Sequence, residues 1–264
     1  MTTETAERAA LAISHPGHEL RLMKWINDTR PLIFLLTSGS RSGASRSRVR
    51  ASQLLAAQLG ATPGPVFGEH LDREVYEWIL AEDSAPFLAL ANRMATSFVE
   101  AQITTVITDS WQLYNVVHDL WHLTVRIAAA EAAISMGRPL TCLDYPVVPH
   151  TSEVLGPGPE RYRLTLTPRE VDDKLRLASE FPEIAEDVAE IMRIGGPETM
   201  RQEVLHAVRP VSELPPALGV QALYERFGEE RVASGLYASV LRWSHVEPTY
   251  RRLSARLLEL EGHR

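Results

Sequence analysis

Residues 9–37 read AALAISHPGHELRLMKWINDTRPLIFLLT, and the way this stretch divides decides the fold. AALAIS is short and apolar and stops at a proline and a glycine, which suits a strand buried on both faces. LRLMKWIND then repeats its apolar positions at helical spacing. Pro31 opens PLIFLLT, a second buried-strand candidate that ends in the Gly/Ser-rich loop SGSRSGASR. RVRASQLLAAQLG follows as a helix closed by Gly60. Strand, helix, strand, helix in this order predicts a parallel sheet with crossover helices.

The alternation continues outward. PVFGEHLDREVYEWIL predicts a short strand, a loop and a helix from about Asp72. FLALANRMATSFVEA reads as a helix, and ITTVITD (103–109) as a strand rich in β-branched residues. VVHDLWHLTVRIAAAEAAISM is a long helix running to Gly137, and LTCLDYPVV the next strand. From about 150 the texture changes. TSEVLGPGPERYRLTLTP is loop-like with one strand, and PREVDDKLRLASEF, EIAEDVAEIMRI, ETMRQEVLHAV and a segment from about Val246 read as helices. The expectation is an α/β domain over 1–150, its mostly parallel sheet covered by helices on both faces. A mainly helical extension over 151–264 packs on it.

The totals narrow the function. The chain has 264 residues, 45% of them hydrophobic and 23% charged, the profile of a globular protein. A net charge of −7 leaves no basic footprint for nucleic acid. The single cysteine, Cys142, excludes an internal disulfide framework and a cysteine-rich zinc cluster. MTTETAERAALAIS lacks the basic start and long apolar run of a secretory signal. No stretch approaches the roughly 20 apolar residues of a membrane span. A soluble, cytoplasmic protein without membrane contact is expected.

Open α/β sheets bind ligands at the carboxyl ends of their strands. Three such ends carry polar residues here: His15, His18 and Glu19; the loop from Thr37 to Arg48; and the segment from Asp109 to His122. His118 and His122 are four apart and share a helix face. Four imidazoles can therefore converge, and a three-histidine site with an open position is a known catalytic zinc arrangement. Such a site suits hydrolysis. A packed helix face is the plainer reading of the His118/His122 pair.

The run SHPGHE, an apolar strand ending LTSGS, a helix ending LLAAQLGA, and a histidine-bearing turn after a later strand resemble, in that order, the PIG-L/LmbE-like de-N-acetylase family. The likeness covers about residues 9–137, with a looser match over ETMRQEVL and YERFGEERV. It implies a Rossmann-like sheet and a zinc-dependent amidase acting on a small polar or sugar-like metabolite. The family's motifs are HPDDE and HxDH or HxxH. His15 matches the first zinc ligand, His18 stands at the ligating aspartate, and His118 matches the last histidine, with Glu19 as a support. Gly17 replaces the aspartate that serves as general base, and Asn115 replaces the first histidine of the second motif, which assists the tetrahedral intermediate. The resemblance thus implies a metal set of His15, His18 and His118 with an altered proton-transfer apparatus.

Replacements for that apparatus are Asp109, which can equally cap the next helix; His122, as acid–base, fourth donor or core residue; Glu19, if it turns inward; and Tyr114, whose hydroxyl can face an oxyanion. Arg48, Asp72 and Asn115 are candidates for holding substrate, Asp72 reading equally as a helix cap. Zinc is the expected ion, with iron as the alternative. The rival functions are a non-hydrolytic three-histidine metalloenzyme and a catalytically silent small-molecule binder. Helical tails commonly mediate association in the family, so the resemblance also allows a homo-oligomer.

Overall fold

The computed structural model describes residues 8–39, 45–148, 156–216 and 218–262. The N-terminal signal reading in part, Arg41 in the Gly/Ser-rich loop, and the domain boundary expected at 150/151 lie outside the described residues. Five strands run parallel: β1 (Ala9–Ile13), β2 (Leu32–Thr37), β3 (Thr62–His70), β4 (Thr105–Asp109) and β5 (Thr141–Tyr145). Two more, β6 (Glu160–Thr165) and β7 (Gln202–Ala207), complete one sheet in the order β3-β2-β1-β4-β5-β7-β6. β7 is antiparallel to both its neighbours.

Period-two alternation divides the buried side chains between two cores. Ala10, Ala12, Phe34, Leu36 and Val106 face one; Leu11, Ile13, Ile33, Leu35 and Ile107 face the other. The first core lies under α3 (Asp72–Leu80), α4 (Ala85–Glu100), α5 (Val116–Met136) and α10 (Trp243–Gly262). The second lies under α1 (Met23–Thr29), α2 (Ser45–Gln58), α6 (Pro168–Ser179) and α7 (Pro182–Gly195). Every residue of β1 and β4 is buried; β1 reads as a continuous apolar run, and β4 adds Thr105, Thr108 and Asp109 to its buried Val106 and Ile107. Helix α5 is buried around most of its circumference, starting at the Asn115 cap and ending at Gly137 with φ 61°. β3 sits at the sheet edge, where Pro63 and Pro65 are tolerated.

One expected helix is a strand. ETMRQEVLHAV forms only a four-residue turn, α8 (Glu198–Arg201), and then continues as β7. Met200, Val204 and Leu205 satisfy helical spacing, but β5 offers an open edge and the β-branched Val204 suits a sheet. Among the described residues no helix is long and apolar enough to cross a membrane.

The strand order positions the site. From β1 the chain winds outward through β2 to β3, then returns to β4 on the other side of β1. The crevice at the carboxyl ends of β1 and β4 is the topological switch point, where doubly wound sheets bind ligands.

Candidate metal centre

β1 ends at Ile13, and Ser14–His15–Pro16–Gly17 turns sharply into a 3-10 turn over His18–Leu22. Gly17 has φ 106°, a conformation that favours glycine. Arg48 clamps this turn, its Nη2 donating to the Pro16 carbonyl at 2.9 Å. The turn places His15 and His18 above β1. From the neighbouring β4, α5 brings down His118 in its first turn.

The three rings meet. One nitrogen from each of His15, His18 and His118 lies within 4.8 Å of the others, and all three residues are buried. Ring centroids are 5.3, 4.8 and 4.7 Å apart. His15 Nδ1 and His118 Nε2 are 2.9 Å from each other.

Two aspartates fix which nitrogens face inward. His15 Nε2 lies 3.0 Å from Asp72 Oδ1, which also accepts from Thr37 Oγ1 at 2.6 Å. His18 Nδ1 lies 3.0 Å from Asp109 Oδ2, which also accepts from the Ser14 backbone N–H at 2.8 Å and the Ser14 hydroxyl at 2.5 Å. Burial works to raise both carboxyls. For Asp72 the nearby His15 overcomes it, and for Asp109 the nearby His18 does, so both are held below the usual carboxylate range. As ionised acceptors they keep the protons at His15 Nε2 and His18 Nδ1, and the opposite nitrogens carry the lone pairs. Burial first, then His18 and His15, hold His118 well below the ordinary imidazole range, which keeps it neutral.

This donor set fits a divalent ion. A tetrahedral ion bonded to imidazole at about 2.0–2.1 Å needs its donors about 3.3 Å apart, against at most 4.8 Å between the three here. Histidine ligands commonly donate their other N–H to a carboxylate, and His15 and His18 do so here. Nδ1 of His118, by contrast, is buried and unpartnered.

The remaining candidates fall outside the trio. Asp72, expected beside substrate, turns inward to His15 and is 3% exposed. Asn115 caps α5, its Oδ1 accepting from Val117 N–H at 2.9 Å. Arg48 is committed to the turn rather than open to a ligand. Glu19 turns away from the rings, accepting from Gly17 N–H at 2.8 Å, and burial raises its carboxyl. His122 points beneath the site, its Nδ1 2.9 Å from the Asp109 carbonyl oxygen, and burial pulls it down to about 3. Tyr114 stands half-buried at the rim, its ring 6.3 Å from that of His118 and packed edge-on against Phe227 of α9 (Leu223–Ala233) at 5.5 Å. The His15–Asp72 pair had no local signal, because its members are 57 positions apart.

No family model and no curated protein matches the chain. Several solved structures resemble it. A deacetylase triple mutant of the teicoplanin biosynthetic pathway is 14% identical with a TM-score of 0.48, over 81% of this chain and 100% of that one. The A40926 pseudoaglycone deacetylase Dbv21 is 16% identical with a TM-score of 0.46, over 77% and 97%. The conserved protein TT1542 from Thermus thermophilus is 15% identical with a TM-score of 0.45, over 81% and 97%. At these identities and scores the likeness transfers no activity, substrate or residue role to this chain.

Proposed function

We propose that the chain is a metal-dependent hydrolase cleaving a C–N amide bond of a small polar or sugar-like metabolite, in the mould of the de-N-acetylases its HPGHE turn resembles. The observation that carries this is the carboxylate-backed histidine trio at the switch point. Zinc bound there supplies Lewis-acid polarisation of a carbonyl and an acidified water, the chemistry of hydrolysis. Iron is the alternative ion.

In this reading His15, His18 and His118 are the ligands. Asp72 and Asp109 are positioning residues: each holds a proton on the outer nitrogen of its histidine and fixes the plane of the ring. Arg48 and Gly17 shape the turn that presents two of the three ligands. Tyr114 is the hydroxyl-bearing side chain at the rim and serves a developing oxyanion. Burying the rings to 8%, 7% and 3% exposure excludes most bulk water.

A second reading rests on one observation. Gly17 offers no side chain, and the two carboxylates nearest the rings are both engaged by histidines. Among the described residues the trio has no uncommitted carboxylate beside it, which favours a non-hydrolytic metalloenzyme or a silent binder.

The test is metal content after purification without added metal, measured for the wild type and for His118→Ala. Near-stoichiometric zinc in the wild type and its loss in a folded variant are expected. Metal retained by the variant would refute the ligand set. Anaerobic release of a carboxylic acid by the zinc form then separates hydrolysis from the oxygen-dependent alternative.

A further inference from the structure

Beyond the histidine trio, a cavity of 370 Å³ opens on the far side of the 3-10 turn, between the ends of β5 and β7. It is lined by Arg21, Tyr145, Arg163, Thr199, Gln202 and His206, among others. Its volume falls within the range of small-molecule sites, of order 300–1,000 Å³.

The charges around it do not balance. Arg163 is paired with Glu160. Glu203 is neutralised by Lys174 at 2.7 Å, and Glu198 lies 3.6 Å from Arg201. His206 Nδ1 donates to the Gly158 carbonyl at 2.9 Å, and burial lowers the ring's affinity for a second proton. Arg21 is different. A guanidinium has five N–H donors, and among the described residues this one makes a single long hydrogen bond, 3.3 Å from Nη1 to the Thr199 carbonyl. Among the described residues it has no carboxylate within ion-pair distance. Burial works against its charge, with Tyr145 and Glu203 as the opposing influences. None of its nitrogens is sealed from the cavity and unpartnered. Arg21 is half-buried, and its spare donors open onto the cavity, where an anion can meet them.

We propose that this cavity is a second ligand site, in which Arg21 receives the oxyanion of a small carboxylated or phosphorylated metabolite. The planar fork of arginine matches two oxygens of either group. Arg163, already paired with Glu160, lies at the exposed mouth and leaves Arg21 as the cation that faces the ligand. The site does not depend on the metal, but it is joined to it: Arg21 lies in the same 3-10 turn as His18, and the Tyr145 hydroxyl, at the cavity wall, donates to the His18 carbonyl at 3.3 Å.

The test uses chelator-treated, full-length protein, so that anions cannot bind through a metal. Inorganic phosphate and acetate are titrated separately in an anion-poor buffer, and backbone amide NMR shifts are followed. Saturable shifts confined to the cavity lining are expected, and the tighter of the two anions identifies the preferred oxyanion. Arg21→Met should weaken binding at least about tenfold, the loss expected for one charge-assisted contact. Should Arg21→Met fail to fold, Arg21→Lys, which keeps the charge but loses the planar fork, should weaken it about threefold. Absence of saturable cavity shifts in the wild type overturns the proposal. So does binding that survives Arg21→Met, or binding undiminished in Arg21→Lys where only that variant folds.

Discussion

Asp109→Asn isolates the part that charge plays in holding His18. In the wild type one oxygen, Oδ2, receives three groups from the turn after β1: the Ser14 N–H at 2.8 Å, the Ser14 hydroxyl at 2.5 Å, and His18 Nδ1 at 3.0 Å. Oδ1 is buried without a partner. An asparagine oxygen can occupy the Oδ2 place, so the geometry survives while the negative charge disappears. Hydrogen bonds to an ionised acceptor are roughly twice as strong as neutral ones, and removing a carboxylate behind a ligating histidine weakens metal binding about 10–100-fold. That is about 1.4–2.8 kcal/mol. The new amide N–H₂, standing in the place of Oδ1, costs a further 1–3 kcal/mol or so of folding stability for want of an acceptor. The assay is zinc competition against a chromophoric chelator at fixed pH, with urea unfolding of the metal-free protein alongside it. A native-like variant whose zinc affinity stays within about twofold of wild type would refute the argument that Asp109 orients His18 through its charge.

Other consequences follow from buried charges elsewhere. Glu203 accepts from the N–H groups of Lys24 and Trp25 at the start of α1, at 3.0 and 2.8 Å, and from Lys174 Nζ at 2.7 Å. Glu203→Gln should destabilise by about 3–5 kcal/mol because it strands a buried ammonium, and Lys174→Met in that background should recover part of the loss; urea midpoints of the wild type and the two variants decide. Asp144 is raised by burial to about 7, while Ser110 Oγ donates to it at 2.8 Å. Its folded-state value lies above the ordinary one, so the folded state holds the extra proton between about pH 4 and 7, and stability falls as pH rises through that window. Asp144→Asn should therefore gain on the wild type between pH 5 and 8, and an equal gap in urea midpoint at both pH values would sink the assignment.

Much of the fold is written in local pattern because β1, β2 and β4 are covered on both faces. Strands so placed are rich in apolar and β-branched residues, and AALAI, LIFLLT and TVITD stand out against their polar flanks. β7 is harder to read. Its half-buried alternation is irregular, it carries Glu203 inward, and its apolar spacing fits a helix as well as a strand. What made it a strand is the free edge of β5, a tertiary fact with no local trace.

The site divides along the same line. His15 and His18 announce themselves within one turn, and the parallel alternation alone suffices to bring His118 toward them. The partners of those rings are another matter. Asp72 sits in the first turn of α3, where an acidic residue is stabilised by the helix dipole and reads as an ordinary end residue. Only the return of β3 alongside β2 carries it to within 3.0 Å of His15. His122 shows the converse. Its four-residue spacing from His118 is correct for a shared helix face, yet α5 descends steeply from the crevice, and one turn along its length puts the ring below the site against the Asp109 carbonyl. Spacing along a helix fixes direction but not depth. The residue at the helix start reaches the open end of the sheet, and the one a turn later is buried beneath it.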